Sequence, residues 1–352
     1  LSSSSAASDV YKRQGLNGGT STYGNWRDVT ETDTGGYLQA DWDTELMGVP
    51  FRGNVGVRQV KTEVKALGYS NVGGVATPVW GENSYDDTLP SLNLSIEPMK
   101  DLIVRFGAAK MMSRPPVNNL APVYTLSAVT AASKTAGRGN VEIDPFRATT
   151  YDLSVEYYFA PEALLSFAYF YKDISTYVQT TNQNITYGDL TALNPDVFPV
   201  DSQRPVTDVY VLSTPVNTPG GPLKGFEVSY QQTFKFLPGL LSNVGTQLNY
   251  THVESEIDYC VTPACTSFVT ADLVNLSPNA WNATLYYDDG KFNARVSAAY
   301  RDTYFQSVPG SNGATGLIPY QGKTETTTID ASASYNLSLI HISEPTRQEA
   351  IS

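Results

Sequence analysis

The segment 222–250 alternates apolar and polar residues with a period of two, and this pattern restricts the fold more than any other feature of the chain. Its first half carries two alternating sets, with Gln232 as the one polar interruption. The apolar set is Phe226, Val228, Tyr230, Phe234 and Phe236, and the polar set is Glu227, Ser229, Gln231, Thr233 and Lys235. Only a β-strand puts residues of this period on opposite faces.

A second strand follows after a short turn. Pro238 and Gly239 mark the turn, and the alternation then resumes at Val244, Thr246, Leu248 and Tyr250. The segment is therefore predicted to be a long amphipathic β-hairpin. The same alternation recurs along the chain and predicts about eleven antiparallel strands. They lie near 35–46, 52–68, 79–97, 102–113, 146–159, 163–180, 206–236, 243–251, 281–287, 292–301 and 329–337.

The connections between these strands alternate in size. Short turns lie near 47–51, 98–101, 160–163, 237–242 and 288–290, and long loops near 69–78, 114–145, 182–205, 258–272 and 307–319. An outer-membrane barrel has short turns at one end and long loops at the other. Aromatic residues such as Tyr157, Phe234 and Phe292 flank the short turns, as expected at a membrane interface. Core aromatics of a soluble sandwich are the alternative.

Composition limits the function. The net charge is −12 and only 16% of residues are charged, so a phosphate backbone would be repelled and nucleic-acid binding is not expected. No apolar run reaches the length of a transmembrane helix.

The sequence contains two histidines, His252 and His341, which are too few for a zinc site or a catalytic triad. No metal, no cofactor and no enzymatic activity are therefore predicted. His252 is expected to be a strand residue near the outer rim.

Cys260 and Cys265 are the only cysteines. Their spacing encloses a proline and suits a small loop closed by a disulfide in an oxidising compartment. Two unrelated thiols are the alternative.

Three further groups of side chains are candidates for contacts with a ligand or another domain. The acidic pairs Asp41/Asp43, Glu254/Glu256 and Asp288/Asp289 have the spacing of solvated strand or turn carboxylates, with a calcium or substrate contact as the alternative. Five arginines are expected near the lumen or the strand ends, where they could face acids of another domain: Arg105, Arg114, Arg147, Arg295 and Arg301. Five loop aromatics could stack on a ligand such as a sugar: Tyr124, Tyr187, Phe198, Tyr259 and Phe268. No ligand-binding residue is assigned.

Residues 1–14 and 339–352 break the alternation. They look like translated adaptor sequence, so both are predicted to be non-native tails, with natural disordered tails as the alternative. The remaining residues 15–338 are expected to form one unit.

The chain resembles the C-terminal barrel of a TonB-dependent outer-membrane receptor. The matching blocks are LPSLNLSIEPMKDLIVRFGAAKMMSRP (89–115), GRGNVEIDPFRATTYDLSVEYYFAPEALLSFAYFYKDIS (137–175), PLKGFEVSYQQTFKFLPG (222–239), SPNAWNATLYYDDGKFNARVSAAYRDTY (277–304) and IDASASYNLS (329–338). The resemblance implies an all-β, antiparallel, up-and-down transmembrane β-barrel that is incomplete, an open curled sheet of about eleven of twenty-two strands.

The family also implies partners that this sequence does not contain. A TonB box, which engages the energy-transducing TonB complex, and a plug domain would lie N-terminal to the barrel, and about two further strands would follow it. The resemblance implies a receptor in the outer membrane of a Gram-negative bacterium. It would contact outer-membrane lipid and actively import a carbohydrate or a ferric siderophore. A passive porin and a secreted β-rich binding domain are the alternatives.

Overall fold

The computed structural model describes residues 26–262, 265–309 and 320–336. Within these ranges the chain is almost entirely β-structure. One sheet contains fourteen strands, and eleven of them form a continuous path in which every neighbour is antiparallel. In order they are β1 (Arg27–Leu46), β2 (Val49–Val72), β3 (Val75–Met99), β4 (Leu102–Ser113), β7 (Phe146–Ala160), β8 (Ala163–Thr186), β10 (Gly221–Thr233), β11 (Val244–Ser255), β14 (Asn279–Asp288), β15 (Phe292–Arg301) and β18 (Thr326–Tyr335).

The remaining elements belong to the long loops. They are β5 (Tyr124–Leu126), β6 (Thr135–Arg138), β9 (Val209–Thr218), β12 (Ile257–Cys260), β13 (Phe268–Ala271), β16 (Tyr304–Ser307), β17 (Gln321–Lys323), helix α1 (Val117–Leu120), helix α2 (Tyr187–Leu193) and the 3-10 helix Gly239–Asn243. No helix in the described part of the chain is long and apolar enough to cross a membrane.

The prediction of an open, up-and-down sheet of about eleven strands is confirmed. The path runs from β1 to β18 in sequence order, and within the described residues these two strands do not pair with each other. The tails 1–14 and 339–352, together with His341, lie outside the described residues.

Five details of the strand prediction were wrong. The long loop expected at 69–78 is instead a two-residue turn, because β2 runs to Val72 and β3 begins at Val75. β1 begins at Arg27, not near residue 35, and β8 continues to Thr186 before α2, inside the expected loop 182–205. β10 ends at Thr233, so Phe234 and Phe236 lie in the turn. The segment 206–236 forms two strands, because β9 pairs with the upper part of β8 and β10 with its lower part. Gly221 lies at this step, where a Cβ would collide with the backbone oxygen of Glu256.

The strands β2 and β3 extend far beyond what a membrane requires. β2 has 24 residues and β3 has 25, which at roughly 3.3 Å per residue gives strands about 80 Å long. Their upper ends meet the long loops, and there β6 pairs with β9 in parallel. This pairing is the one departure from the predicted antiparallel order among the described strands.

The long loops have a hydrophobic core of their own. Eleven buried residues from β2, β3, β5, β6, β8, α2 and β9 and from the loop after α2 pack together: Val72, Val79, Tyr124, Ala136, Ile185, Tyr187, Leu190, Val197, Phe198, Tyr210 and Leu212. The ring of Phe198 lies edge-on to those of Tyr124 and Tyr187, at centroid distances of 5.1 and 6.2 Å. Buried apolar area stabilises these loops at roughly 25 cal/mol per Å², so the outer end of the sheet is a packed assembly.

Phe198→Ala is expected to lower the free energy of unfolding of this assembly by about 3–5 kcal/mol, because it empties a fully buried site. Native-state proteolysis of the folded protein measures the change. The matched control is Val200→Ala, at a side chain that is 83% exposed, where a change within about 0.5 kcal/mol is expected. Equal effects of the two substitutions would contradict the existence of the core.

Candidate functional site

Below the long loops, the sheet has one apolar face and one polar face on the strands of its path. Strand register brings the apolar residues of successive strands side by side, so that Tyr230 lies between Leu165 and Leu248, and Val228 between Phe167 and Tyr250. Many of these side chains are exposed, including Leu153, Leu165, Phe167, Leu248, Leu285, Val296 and Ile329. A contiguous exposed apolar surface of this extent marks contact with another apolar phase.

Aromatic residues border the apolar face at both ends. Near the short turn before β15, the rings of Tyr287 and Phe292 are 6.0 Å apart. Toward the long loops, Trp281 and Tyr300 stack at 5.7 Å. Phe292 and Tyr300 are the two ends of one row on β15, about 26 Å apart along the strand at roughly 3.3 Å per residue. The separation is of the order of the roughly 25 Å apolar band of outer-membrane barrels, which aromatic girdles flank in the same way.

The polar face carries hydrogen bonds between neighbouring strands. Arg105 Nε donates to Glu156 Oε1 at 3.0 Å, and Asn93 Nδ2 donates to Asn54 Oδ1 at 2.9 Å. On the other half of the sheet, the hydroxyls of Thr284 and Ser297 are 2.9 Å apart. The face therefore has the amides, hydroxyls and paired charges of a wet or protein-filled lumen.

The five arginines lie on or beside the polar face, and their partners belong to this chain. Arg105 binds Glu156, Arg114 binds Glu31 and Asp33, Arg147 binds Asp87 and Asp144, Arg295 donates to Ser332, and Arg301 donates to Ser277 and to the carbonyl of Asn275. Alternation could not identify Asp33 and Asp87, because each lies more than one strand away from its arginine. That these arginines face acids of another domain stays a prediction.

The acidic pairs and His252 have local partners. Asp43 pairs with Arg52 and Glu254 with Lys224, both at 3.1 Å. Asp289 lies in a turn and accepts the backbone N–H groups of Lys291 and Phe292, which lower the pKa of its carboxyl. His252 lies toward the loop end of β11, where its Nδ1 is 2.9 Å from Asn279 Oδ1. In the described part of the chain no cluster of three or more His, Cys, Asp or Glu could hold a metal ion.

Four of the five loop aromatics are not surfaces on which a ligand could stack. Tyr124, Tyr187, Phe198 and Tyr259 are buried, and their rings form the cores of the outer loops. Only Phe268 is exposed. The sequence-based expectation was wrong for the four because a tyrosine in a loop of unknown packing looks the same whether it meets a ligand or a core.

The cysteines close the hairpin β12–β13. The structure joins Cys260 and Cys265 in a disulfide with Cα atoms 4.9 Å apart, inside the usual range. The Cys260 N–H donates to Gln179 Oε1 at 3.1 Å, and Gln179 Nε2 donates to the Asp258 carbonyl at 2.7 Å. Gln179 thus fastens the hairpin to β8, a role that its sequence context did not indicate. Oxidation of the pair in the protein stays a prediction.

Tyr259 anchors the same hairpin from inside. Its hydroxyl donates to the Asp272 carbonyl at 3.2 Å and accepts the Val274 N–H at 3.0 Å. Burial raises the pKa of the Tyr259 hydroxyl to about 12, since the phenolate would lose its hydration.

These features are typical of one class of protein, the transmembrane β-barrels, in which an apolar face meets lipid and a polar face lines a lumen. Residues 3–343 match the family described as TonB dependent receptor-like, beta-barrel. The chain therefore belongs to the family of TonB-dependent receptors, as its sequence predicted. A comparison with curated protein sequences finds no match.

Solved structures share the fold at low sequence identity. The siderophore receptor PiuA from Acinetobacter baumannii is 15% identical with a TM-score of 0.56, over 89% of this chain and 38% of that one. The ferric enterobactin receptor PfeA from Pseudomonas aeruginosa, in complex with enterobactin, is 11% identical with a TM-score of 0.54, over 88% and 47%. The copper transporter OprC is 12% identical with a TM-score of 0.57, over 89% and 41%. The chain spans less than half the length of these structures.

Neighbouring residues of β10 test the assignment of the two faces. Val228→Arg puts a charge on the lipid face and is expected to cost about 2–4 kcal/mol of stability near the bilayer centre. The control is Ser229→Arg, the same change one residue along on the polar face, where a cost within about 0.5 kcal/mol is expected. Urea unfolding of the full-length protein in lipid vesicles measures both. A larger cost for Ser229→Arg than for Val228→Arg would show that the two faces are assigned the wrong way round.

The Tyr259 hydroxyl makes the hairpin sensitive to alkali. In the unfolded chain it ionises near its ordinary pKa of 10.0, whereas in the folded hairpin it keeps its proton to about pH 12. The unfolded state then binds fewer protons, so stability is expected to fall as pH rises from about 10 to 12. Proteolysis of the hairpin across this range measures the loss. Tyr259→Phe should flatten the pH dependence, and an unchanged profile in that variant would contradict the assignment.

Proposed function

We propose that the chain is part of a receptor that captures a scarce nutrient at the surface of a Gram-negative bacterium and imports it actively across the outer membrane. The supporting observation is the match to the TonB-dependent receptor family over residues 3–343. The energy would come from the TonB complex, and a plug domain would occupy the lumen. The polar face of the sheet, with its paired charges and amides, suits contact with such a domain.

Carbohydrate and ferric siderophore are the two ligand classes proposed. The siderophore receptors and the copper transporter that share the fold favour a metal-linked ligand only weakly, because identities of 11–15% carry over the fold alone. The charges of the outer loops favour a carbohydrate. Each basic residue of the segments 114–145 and 187–208 is engaged within the chain: Arg114 with Asp33, Lys134 with Asp208, Arg138 over the ring of Tyr124, and Arg204 with Asp201. Anionic ferric chelates would gain little from the three cations that are already paired with a carboxylate, and within the described residues Arg138 alone of the four keeps an uncompensated charge.

Deletion of the full-length gene tests the proposal. Uptake of a panel of neutral oligosaccharides and of ferric siderophores is measured in the deletion strain, in the complemented strain and in a strain without TonB. We expect the uptake of one ligand to fall in the deletion strain and to fall equally without TonB. Uptake that depends on the gene but not on TonB would favour a passive porin. Uptake of every ligand unchanged by the deletion would contradict a transport function.

A further inference from the structure

The segment 114–145 connects β4 to β7 and folds over the polar face of the sheet. It contains α1, β5 and β6, and we call it the strap. All of its residues lie in the described part of the chain. The strap crosses the face of strands to which it is not joined. Four independent sets of contacts hold it there.

Ion pairs fix both ends of the strap. Arg114 directly follows β4 and pairs with Asp33 and with Glu31, at 3.6 Å for the latter. Both acids lie on β1, three strands away from β4 in the sheet. At the other end, Asp144 of the strap lies 3.5 Å from Nη2 of Arg147 on β7, and Arg147 in turn binds Asp87 on β3 through Nε and Nη2 at 2.6 and 3.4 Å. An arginine that directly follows β4 can reach β1 only if the chain turns inward across the polar face at this point.

Apolar packing holds the middle of the strap. Leu120 and Ile143 are each 1% exposed. With Val141 they form a core against Val64 and Ala66 of β2 and Tyr85 of β3. In the lower half of β2 the same face carries the polar residues Arg52 and Asn54. The upper part of the polar face is therefore apolar where the strap covers it.

Two glycines shape the surface beneath the strap. A Cβ at Gly81 of β3 would lie 2.7 Å from Val141 Cγ1 and 3.2 Å from Val141 Cβ. A Cβ at Gly68 of β2 would collide with the Cγ2 methyl of Val123. Neither glycine has a backbone conformation that requires glycine, so the missing side chains serve the close approach of the strap. Both strands therefore lack a side chain at the positions where the strap packs against them.

Hydrogen bonds join the strap to two pairs of long strands, β2–β3 and β8–β9. The Tyr124 N–H donates to the buried hydroxyl of Ser70 on β2 at 2.8 Å. On the other side, the Asp144 N–H donates to Asn217 Oδ1 of β9 at 2.8 Å, and Asn217 Nδ2 returns a bond to the Asp144 carbonyl at 3.0 Å. β6 also pairs with β9. The strap therefore bridges β2–β3 and β8–β9 across the sheet.

We propose that the strap is a fixed constriction of the external mouth, which narrows the entrance on this side and stays in place while a ligand passes. Movement would break the ion pairs of Arg114 with β1, open a buried core and unpair β6 from β9 together. Because all of these contacts are formed at the same time, the strap is a fixed part of the lining of the entrance. A ligand must therefore pass beside it. The part of the proposal that concerns uptake rests on the proposed function; the position of the strap does not.

A disulfide lock tests the proposal in the full-length receptor in outer membranes. Gly81→Cys combined with Val141→Cys places the two Cβ atoms close to the distance of about 3.5–4.5 Å found in disulfides. The cross-link is expected to form in high yield. Ligand uptake is expected to stay within about twofold of the wild type, since a segment that does not move loses nothing by being tied. A fall of about tenfold or more that reductant reverses would show a moving gate and overturn the proposal.

Two controls separate the outcomes. Val141→Cys alone reports the effect of the substitution, and the wild type with reductant reports that of opening Cys260–Cys265. A wild type that imports no tested ligand would contradict the proposed function, while the cross-link yield still decides where the strap lies.

If the double variant does not fold, trypsin cleavage at Lys134 of the wild type replaces the disulfide lock as the test. Slow cleavage, at the rate of global unfolding, supports a fixed strap, and rapid cleavage overturns it.

Discussion

Backbone hydrogen bonding is the constraint on which the rest of this structure depends. Lipid offers no partner for a peptide N–H or C=O, so a strand can cross it only when both of its neighbours are paired. The nine inner strands of the path meet this condition through antiparallel registers, most of them without interruption, while β1 and β18 each pair with one neighbour within the described residues. Period-two alternation follows from the same geometry, because a sheet between lipid and lumen must present different chemistry on its two sides. Fold, membrane contact and lumen therefore have one physical origin.

Above the membrane the same strands meet a different requirement. There, the face that is polar lower down packs against the folded loops instead of lining the lumen. Val64, Ala66 and Val72 occupy there the side that carries Arg52 and Asn54 lower down. One strand thus has two chemical environments along its length, and the change between them lies near Thr62, whose hydroxyl donates to Asp33 at 2.7 Å.

The sequence predicted the membrane-level sheet well and the outer loops poorly. Strands such as β4 and β15 were placed nearly to the residue, since their alternation is local and needs no knowledge of partners. The strap, the division of β9 from β10 and the buried state of Tyr187 depend on contacts between residues remote in the chain, and no local pattern encodes these. The arginines were predicted to lie near the lumen or the strand ends, but Asp33 and Asp87 could be matched to Arg114 and Arg147 only from the structure, because they lie on strands remote in the sequence. Gly68 and Gly81, which interrupt strand patterns, were the one local signal of a close backbone approach.

The contacts of the strap also determine an order of assembly. Strands that are neighbours in the sheet follow one another along the chain, so the sheet can grow strand by strand, and the cost in loop entropy rises only slowly with the length of a connection. The strap cannot close in this way, because Arg114 is 81 residues from Asp33, and Asp144 is 73 residues from Asn217. Its partners lie on both sides of it in sequence, so it can settle only after β9 has emerged and taken its place. Such long-range closures are slow, and the strap is expected to be the last part of this region to reach its native position, after the strands beneath it have formed.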